Sequence, residues 1–456
     1  MSRRLFALLA TLALLASACG DDDTAGETDD DDTSTTTSTT APPDDADDDD
    51  DEATTTTSEA PELSASDVGV TAEAIKVGIM VADQELILNL GVELGWGDIE
   101  AKWRLAIEAL NDAGGVLGRR LEPVFEFYLP TGLDDAACTR LTEDEKAFVV
   151  FGFIRPVNST ICFTDLHEVP VIATGDRLTP EVQERSAVPA LFLATSPARV
   201  DAAMVAALEA TGGLEGRTIA VHGRDEGRLD ALESELEGLG YEAATRTLLT
   251  APENDSLALD SDLDTIVEVW RSEGVDLVLN VTTSIALAGA LERKAFDVDI
   301  VTTEGDILLD DRDGRGGTPD QFERIRVVGG LGSSRLIESG HVPSVECRER
   351  WDTAHPEEPT VLDPTDGELQ NLGVTLTACA TVELFAAIAT VAGVDLTHES
   401  FAASLDEVGS VELAGISAAS VGADKWDVPD LPVVSFFGWN AADSAYDPVG
   451  DPIELG

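Results

Sequence analysis

From residue 73 onward, short apolar runs alternate with amphipathic segments. The run at 74–82 is apolar and rich in β-branched residues, as is typical of a strand buried on both faces. Residues 121–129 alternate apolar and polar positions like a second strand. Between them, residues 99–110 place apolar side chains at helical spacing, namely Trp103, Ala106, Ile107 and Leu110. Gly114 and Gly115 can take the left-handed conformation that ends a helix, so the pattern predicts a strand–helix–strand unit.

The same alternation continues along the chain. It predicts further strands at 147–153, 170–176, 190–197, 217–225, 241–249, 275–283, 298–306 and 324–332. It predicts helices at 159–168, 198–212, 228–240, 265–274, 284–296 and 375–393. Two successive series of this kind predict an α/β fold with two doubly wound lobes, each built on a mostly parallel sheet. Polar loops at the carboxyl ends of the strands would then face each other across a cleft, where such folds bind ligands.

The first residues have the composition of a secretory signal. A basic start, a short apolar run and small residues precede Cys19, and the apolar run is too short for a comfortable membrane span. Residues 15–19 resemble a bacterial lipoprotein box, which implies removal of residues 1–18 and acylation of Cys19. Ordinary secretion with an incidental cysteine is the alternative. In either case the protein is expected outside the cytoplasm, and the lipoprotein interpretation anchors it to the cell membrane.

Residues 19–72 are predicted to form a disordered acidic tether rich in Asp and Thr. Segment 20–66 is almost devoid of apolar side chains and contains no Lys or Arg, so it cannot bury enough surface to offset its ordering entropy. Repulsion between its carboxylates would keep it extended. The acidic run 44–52 could be a metal-binding stretch, but a solvated spacer is the favoured interpretation.

The formal charge of −61 is not confined to this segment. Removing the 18 acidic residues of 20–66 and the two arginines of residues 1–18 leaves 71 acidic and 26 basic residues, or about −45. Such a surface argues against binding to nucleic acid or to anionic lipid. We therefore expect contact with the membrane only through the Cys19 lipid.

Five cysteines become four once Cys19 is acylated. An even count outside the cytoplasm predicts two disulfides, and pairing of nearest neighbours gives Cys138–Cys162 and Cys347–Cys379, with two other connectivities open. A zinc site is the rival interpretation. The five histidines are scattered and no CxxC spacing occurs, so no metal site is predicted.

Residues 70–440 resemble the type 1 periplasmic binding proteins, in particular the leucine/isoleucine/valine-binding branch of ABC-transporter receptors. The resemblance rests on "VTAEAIKVGIMV" and on "IEALNDAGGVLGRRLEPVFEFY", which carries the family's glycine phrase at 107–121. The segments "ACTRLTEDEKAFVVFGF" and "CFTDLHEVPVI" are similar to a subgroup in which the cysteines flanking this strand pair. The resemblance implies two lobes that close like a hinge on a small ligand. It assigns 73–197 and 324–394 to lobe 1, and 198–323 and 395–456 to lobe 2.

The resemblance also implies where the ligand binds. Family ligands are usually amino acids whose carboxylate meets hydroxyls and N–H groups at a helix start. The corresponding positions are Gln84, Arg155, Asn158, Ser159, Thr160, Thr174, Gly175, Asp176, Arg224, Asp225, Ser284 and Glu304. Gln84 and Trp96 could both be cleft wall or core, and Asn158 or Ser159 could simply cap its own helix. The loop 173–176 corresponds to a second carboxylate- and ammonium-binding loop of the family, which makes Thr174, Gly175 and Asp176 candidates, and Asp225 or Glu304 could also hold an ammonium group. The tyrosines that the family often places over its ligand are missing here, so the ligand is expected to be an amino acid, an amide or another small polar or carboxylate compound.

The function implied by the resemblance is that of a monomeric extracytoplasmic solute-binding receptor, which delivers its small-molecule ligand to an ABC permease in the membrane. A sensor or a surface-adhesion protein of the same fold is the alternative. An enzyme is not expected, because the sequence contains no GxSxG, P-loop, HExxH or dinucleotide-binding motif. No cofactor is expected either.

Overall fold

Two large sheets, one parallel and one mostly parallel, organise the protein. The computed structural model describes residues 63–89, 95–129, 135–154, 157–175, 177–252, 255–282, 286–304, 319–362, 370–440 and 445–455. All of these residues belong to one compact unit.

The sheet of lobe 1 has five parallel strands in the order β2-β1-β3-β4-β5. The strands are β1 (Ala74–Ala82), β2 (Arg120–Tyr128), β3 (Val149–Gly152), β4 (Val171–Ala173) and β5 (Ala190–Phe192). Strand β1 lies between β2 and β3 and pairs Ile75 with Leu121 on one side and Val77 with Val149 on the other. This order places the topological switch point between β1 and β3, where doubly wound sheets bind ligands.

Helices cover both faces of this sheet. They are α1 (Gln84–Asn89), α2 (Ile99–Asp112), α3 (Asp135–Thr139), α4 (Val157–Ile161) and α5 (Pro180–Arg185), and from later in the chain α11 (Ser333–Glu338), α12 (Val342–Ala354), α13 (Asn371–Ala392), α14 (His398–Ala403) and α15 (Leu405–Val408). Five-residue π-helical turns continue α3 and α4, at Arg140–Asp144 and Cys162–Leu166. A hairpin of β11 (Ser410–Leu413) and β12 (Ile416–Ser420) packs beside α13.

The predicted helix end at the double glycine is confirmed. Asp98 caps α2 by accepting a hydrogen bond from the Ala101 N–H at 2.9 Å. After α2 ends, Gly115 has a φ of +67°, and a Cβ there would lie 2.0 Å from the Arg119 carbonyl oxygen. Only glycine combines this backbone angle with so close an approach, so the chain can turn directly into β2.

The sheet of lobe 2 has seven strands in the order β14-β13-β10-β9-β8-β6-β7. The strands are β6 (Ile219–Gly223), β7 (Thr245–Leu248), β8 (Leu277–Asn280), β9 (Asp299–Thr302), β10 (Ile325–Gly329), β13 (Val433–Asn440) and β14 (Ala445–Glu454). The first five are parallel and repeat the strand order of lobe 1, whereas β13 and β14 add an antiparallel hairpin. The covering helices are α6 (Pro197–Ala210), α7 (Glu226–Gly238), α8 (Ser256–Glu273), α9 (Leu287–Lys294) and α10 (Pro319–Phe322).

Three chain segments connect the lobes, at 193–196, 330–332 and 429–432. The first and third lie close together, because the Phe192 N–H donates to the Trp426 carbonyl at 2.7 Å and the Val428 N–H to the Phe192 carbonyl at 2.8 Å. Arg199, at the start of α6, donates to the carbonyls of Asp427 and Pro429. A bilobal molecule with this paired connection has the geometry of a hinge.

Two predicted boundaries are wrong. Strand 325–329, assigned to lobe 1 from the sequence, pairs with β9 in lobe 2, where Ile325 lies opposite Ile300. Segment 395–428, assigned to lobe 2, packs into the core of lobe 1 through Leu396, Phe401, Leu405, Leu413, Val421 and Val428. The chain thus returns to lobe 1 only after β10. The assignment of this strand was wrong because a run rich in Val and Ile does not by itself indicate which of the two sheets the strand joins.

The tether prediction is wrong for residues 63–72, whereas Cys19 and the rest of the predicted tether lie outside the described residues. Val70 is buried, and the Lys76 N–H donates to the Gly69 carbonyl at 2.8 Å. The buried Arg119 side chain donates to the carbonyls of Ser64, Thr71 and Val394. This segment, which we call the N-terminal clasp (residues 63–72), is thus part of lobe 1.

Both predicted disulfides are present in the nearest-neighbour pairing. Cys138–Cys162 joins the two helical segments that flank β3, and Cys347–Cys379 joins α12 to α13. Helix α13 has the length and apolar composition of a membrane span. It packs against α2, with Leu376, Leu384 and Phe385 in the core, so in this structure it is a core helix of lobe 1.

Candidate ligand site

A cavity of about 280 Å³ opens at the carboxyl ends of the strands of lobe 1. It lies at the β1/β3 switch point, since it is bordered by the end of β1 and by residues that follow β3 and β4. The start of α13 forms another wall. The lining residues are Met80, Val81, Ala82, Trp96, Ile99, Trp103, Phe153, Thr174, Gln370, Gly373, Val374 and Thr377.

Aromatic side chains shape this cavity. The Trp96 and Phe153 rings lie 5.5 Å apart at a tilt of 59°, and Trp103 stacks on the core residue Phe151. Gly175, directly after Thr174, lies against the Phe153 ring, where a Cβ would come within 2.5 Å of a ring carbon. A side chain at this position would therefore push the ring from its place.

Three uncharged polar side chains line the same cavity, at Thr174, Gln370 and Thr377. Their side chains make no hydrogen bond to any residue that the structure describes, so their polar groups are available to a ligand. The predicted site residue Gln84 is different, because its amide already donates to the Gly97 carbonyl at 2.7 Å. Gln84 thus braces the segment that carries Trp96.

The facing loops of lobe 2 contribute an ion-pair network. Glu304, just after β9, lies 2.7 Å from Arg228 Nη1 and 3.4 Å from Arg177 Nη1. Arg228 also donates to both carboxylate oxygens of Asp201, at 2.5 and 2.8 Å. Burial acts to lower the pKa of Arg228, but its hydrogen bonds to and charge attraction by Asp201 and Glu304 together outweigh this effect and raise the pKa. Since Arg177 follows β4, its contact with Glu304 bridges the two lobes.

The other predicted site residues are dispersed. Asp225 caps α7 by accepting from the Arg228 N–H at 2.6 Å, and Arg224 donates to the Ala251 carbonyl at 2.5 Å. Asn158 is exposed, whereas Ser159 and Thr160 are buried. Arg155, Asp176 and Ser284 lie outside the described residues. Of the predicted set, Thr174 lines the cavity and Gly175 packs on its wall.

The sequence reasoning missed Phe153, the bridging Arg177 and the wall supplied by α13. Gln370, Gly373, Val374 and Thr377 follow the i, i+3, i+4, i+7 spacing of one helix face, which is a detectable pattern. That face is less apolar than its flanks, and this break in an otherwise apolar helix is the signal that could have identified it.

Within the described part of the chain, the potential metal ligands that lie together in a group of three are Cys138, Cys162 and His167. The two sulfur atoms are bonded to each other, so they are not free to ligate a metal.

The geometry defines a bilobal α/β binding fold, with a ligand-sized cavity beside the contact between its lobes. No protein-family model and no curated protein sequence matches the chain. Several solved structures, in contrast, match the chain. An ABC transporter substrate-binding protein from Desulfitobacterium hafniense in complex with Leu matches with a TM-score of 0.57 and 15% identity, over 82% of this chain and 100% of that one.

Two further structures give the same result. A type 1 periplasmic binding protein from Bordetella pertussis Tohama I matches with a TM-score of 0.58 and 12% identity, over 84% and 100% of the two chains. A solute-binding protein of an ABC transporter from Rhodopseudomonas palustris HaA2, in complex with p-hydroxybenzoic acid, matches with a TM-score of 0.56 and 14% identity, over 84% and 98%. The chain therefore has the fold of the type 1 periplasmic binding proteins, as the sequence resemblance predicted.

Proposed function

We propose that this protein is an extracytoplasmic solute-binding receptor of an ABC importer. It captures a small molecule between its lobes, closes about the hinge and presents the closed form to a membrane permease. The observation that carries the proposal is the cavity at the β1/β3 switch point. Its position matches the place where doubly wound sheets bind ligands.

Other features support this function. The contact between Arg177 and Glu304 links the loop that carries Thr174 to the opposite lobe, so closure and ligand contact involve the same short segment. The neighbours of similar fold named above are ABC transporter substrate-binding or periplasmic binding proteins, and two of them were solved in complex with leucine and with p-hydroxybenzoic acid.

Among the residues predicted from the sequence, Thr174 and Gly175 are the ones we propose as ligand contacts, with Asn158 at the exposed rim. Asp225 and Arg224 instead have structural partners in lobe 2. We also propose that Cys19 carries the lipid anchor. Replacement of Cys19 by serine should then release the protein from the membrane fraction into the medium, and unchanged membrane association of this variant would contradict the anchor.

The function is tested by a thermal-shift panel of amino acids, amides, short carboxylates, aromatic acids and polyamines. A ligand that binds only the native state raises the melting temperature by mass action. We expect at least one class of compound to do so, and the same compound should reduce the radius of gyration in small-angle scattering. If no compound changes either quantity, solute capture by hinge closure is refuted.

A further inference from the structure

The cavity described above has walls without charge among its described lining residues. Eight of them are apolar: Met80, Val81, Ala82, Trp96, Ile99, Trp103, Phe153 and Val374. Its volume of about 280 Å³ compares with the roughly 150 Å³ of an engineered apolar cavity that accepts benzene. A ring or a branched chain, with a short polar arm, therefore fits the space.

The polar groups that face this space are hydroxyls and an amide. Thr174 and Thr377 can each donate and accept one or more hydrogen bonds, and Gln370 offers both a carbonyl and an NH₂ group. Such groups match a hydroxyl, an amide or a carboxylate. They lack the negative charge that a ligand ammonium group requires when it leaves water.

Of the acidic side chains predicted to lie near an ammonium group, the two that the structure describes, Asp225 and Glu304, are already occupied, whereas Asp176 lies outside the described residues. The Asp225 carboxylate caps α7 at 2.6 Å from the Arg228 N–H. Glu304 contacts the guanidinium groups of both Arg228 and Arg177. An ammonium ion at Glu304 would have to compete with these two cations, and the remaining carboxylate of the network, Asp201, is itself bound by Arg228 and Thr303.

We infer that the ligand is an aromatic or branched aliphatic compound whose polar end carries no ammonium group. This inference rests on the proposed function, because it takes the cavity as the ligand site. It narrows the ligand classes predicted from the sequence, since it retains amides and carboxylates and removes α-amino acids.

Isothermal titration calorimetry on the purified full chain tests the inference with compounds that differ only by an amino group. The pairs are 3-phenylpropanoate against phenylalanine, and 4-methylpentanoate against leucine. In at least one pair the amine-free compound should bind roughly tenfold more tightly or better, because its partner must desolvate an unpaired cation.

Each outcome bears on a different statement. If the amino acid binds at least as tightly as its amine-free partner in every pair that shows binding, the inference is overturned and the receptor function stands. If none of the four compounds binds, the inference is tested with whichever ligand the thermal-shift panel identifies. A ligand with an ammonium group overturns the inference, and one without it supports the inference. A panel without any ligand refutes the proposed function and the inference with it.

A variant locates the polar end of the ligand. Thr377→Val removes a cavity hydroxyl at nearly constant volume, and the matched control is Thr265→Val on the exposed face of α8, where the hydroxyl donates to the Ser261 carbonyl. The Thr377 variant should lose roughly twofold to tenfold in affinity for the amine-free compound, as expected for one hydrogen bond. Equal affinities of the two variants would refute the placement of the ligand's polar end at Thr377.

Discussion

His222 should make the stability of lobe 2 depend on pH. It lies in β6 with no exposed surface, and its Nδ1 is 3.1 Å from the Thr247 hydroxyl oxygen. Its ring meets Trp270 edge-on at a centroid distance of 5.3 Å, and its Nε2 has no hydrogen-bond partner among the described residues. Burial is the main cause that lowers the pKa of His222 from 6.5 to about 4, although the hydrogen bond to Thr247 opposes it.

The sign and size of the effect follow from linkage. The unfolded chain takes up a proton at this site near pH 6.5, whereas the folded protein resists protonation until about pH 4. The stabilisation is therefore fully present above pH 6.5 and is lost as the pH falls to about 4. A difference of about 2.5 pKa units corresponds to about 3 kcal/mol of unfolding free energy.

Urea unfolding, followed by tryptophan fluorescence at a series of pH values between about 7 and 4, measures this effect. The matched variant is His222→Gln, which retains a hydrogen-bonding group for Thr247 but does not titrate. Because the many carboxylates of the chain titrate in part of the same range, the relevant quantity is the difference between the two proteins. This difference should fall by about 3 kcal/mol across the window, and parallel curves for the two proteins would refute the reasoning.

Two further predictions concern the site. Arg177→Ala removes the bridge to Glu304, and since a partly exposed ion pair contributes about 0.5–1 kcal/mol, the ratio of closed to open forms should fall about twofold to fivefold. Small-angle scattering of the ligand-free protein measures this change as an increase in the radius of gyration. The control is Arg185→Ala, whose partners lie in lobe 1, and equal radii of gyration for the two variants would contradict the prediction. Gly175→Ala should displace the Phe153 ring, which lines the cavity, and weaken ligand affinity by roughly tenfold. Calorimetry that shows unchanged affinity would exclude this role.

The sequence predicted the elements better than their assembly. Strand β1 was placed at its observed bounds, because an uninterrupted apolar run with clear ends has few other interpretations. Strand β10 was predicted as a strand but assigned to the wrong lobe. Its burial depends on β9 and β13, and neither the period nor the composition of a strand encodes its neighbours.

In the candidate site, too, the positions of residues along the strands could be predicted from the sequence, whereas their contacts could not. Thr174 and Gly175 follow β4, so their position near the ligand end of the sheet could be predicted from the order of strands alone. Asp225 and Glu304 also follow strands, but their roles depend on Arg228, whose position on α7 brings it to both carboxylates. A carboxylate that caps a helix and one that binds a ligand have the same sequence signature.

The N-terminal clasp determines to which lobe the chain upstream of residue 63 is joined. Arg119 binds the carbonyls of Ser64 and Thr71, and Asp67 accepts from the His398 N–H at 2.8 Å, so the clasp is fastened to lobe 1. Any force transmitted from the chain upstream of residue 63 therefore acts on lobe 1 rather than on the hinge. If Cys19 carries the lipid anchor proposed above, lobe 1 is the lobe joined to the membrane-anchored segment, and lobe 2 is the lobe that rotates about the hinge.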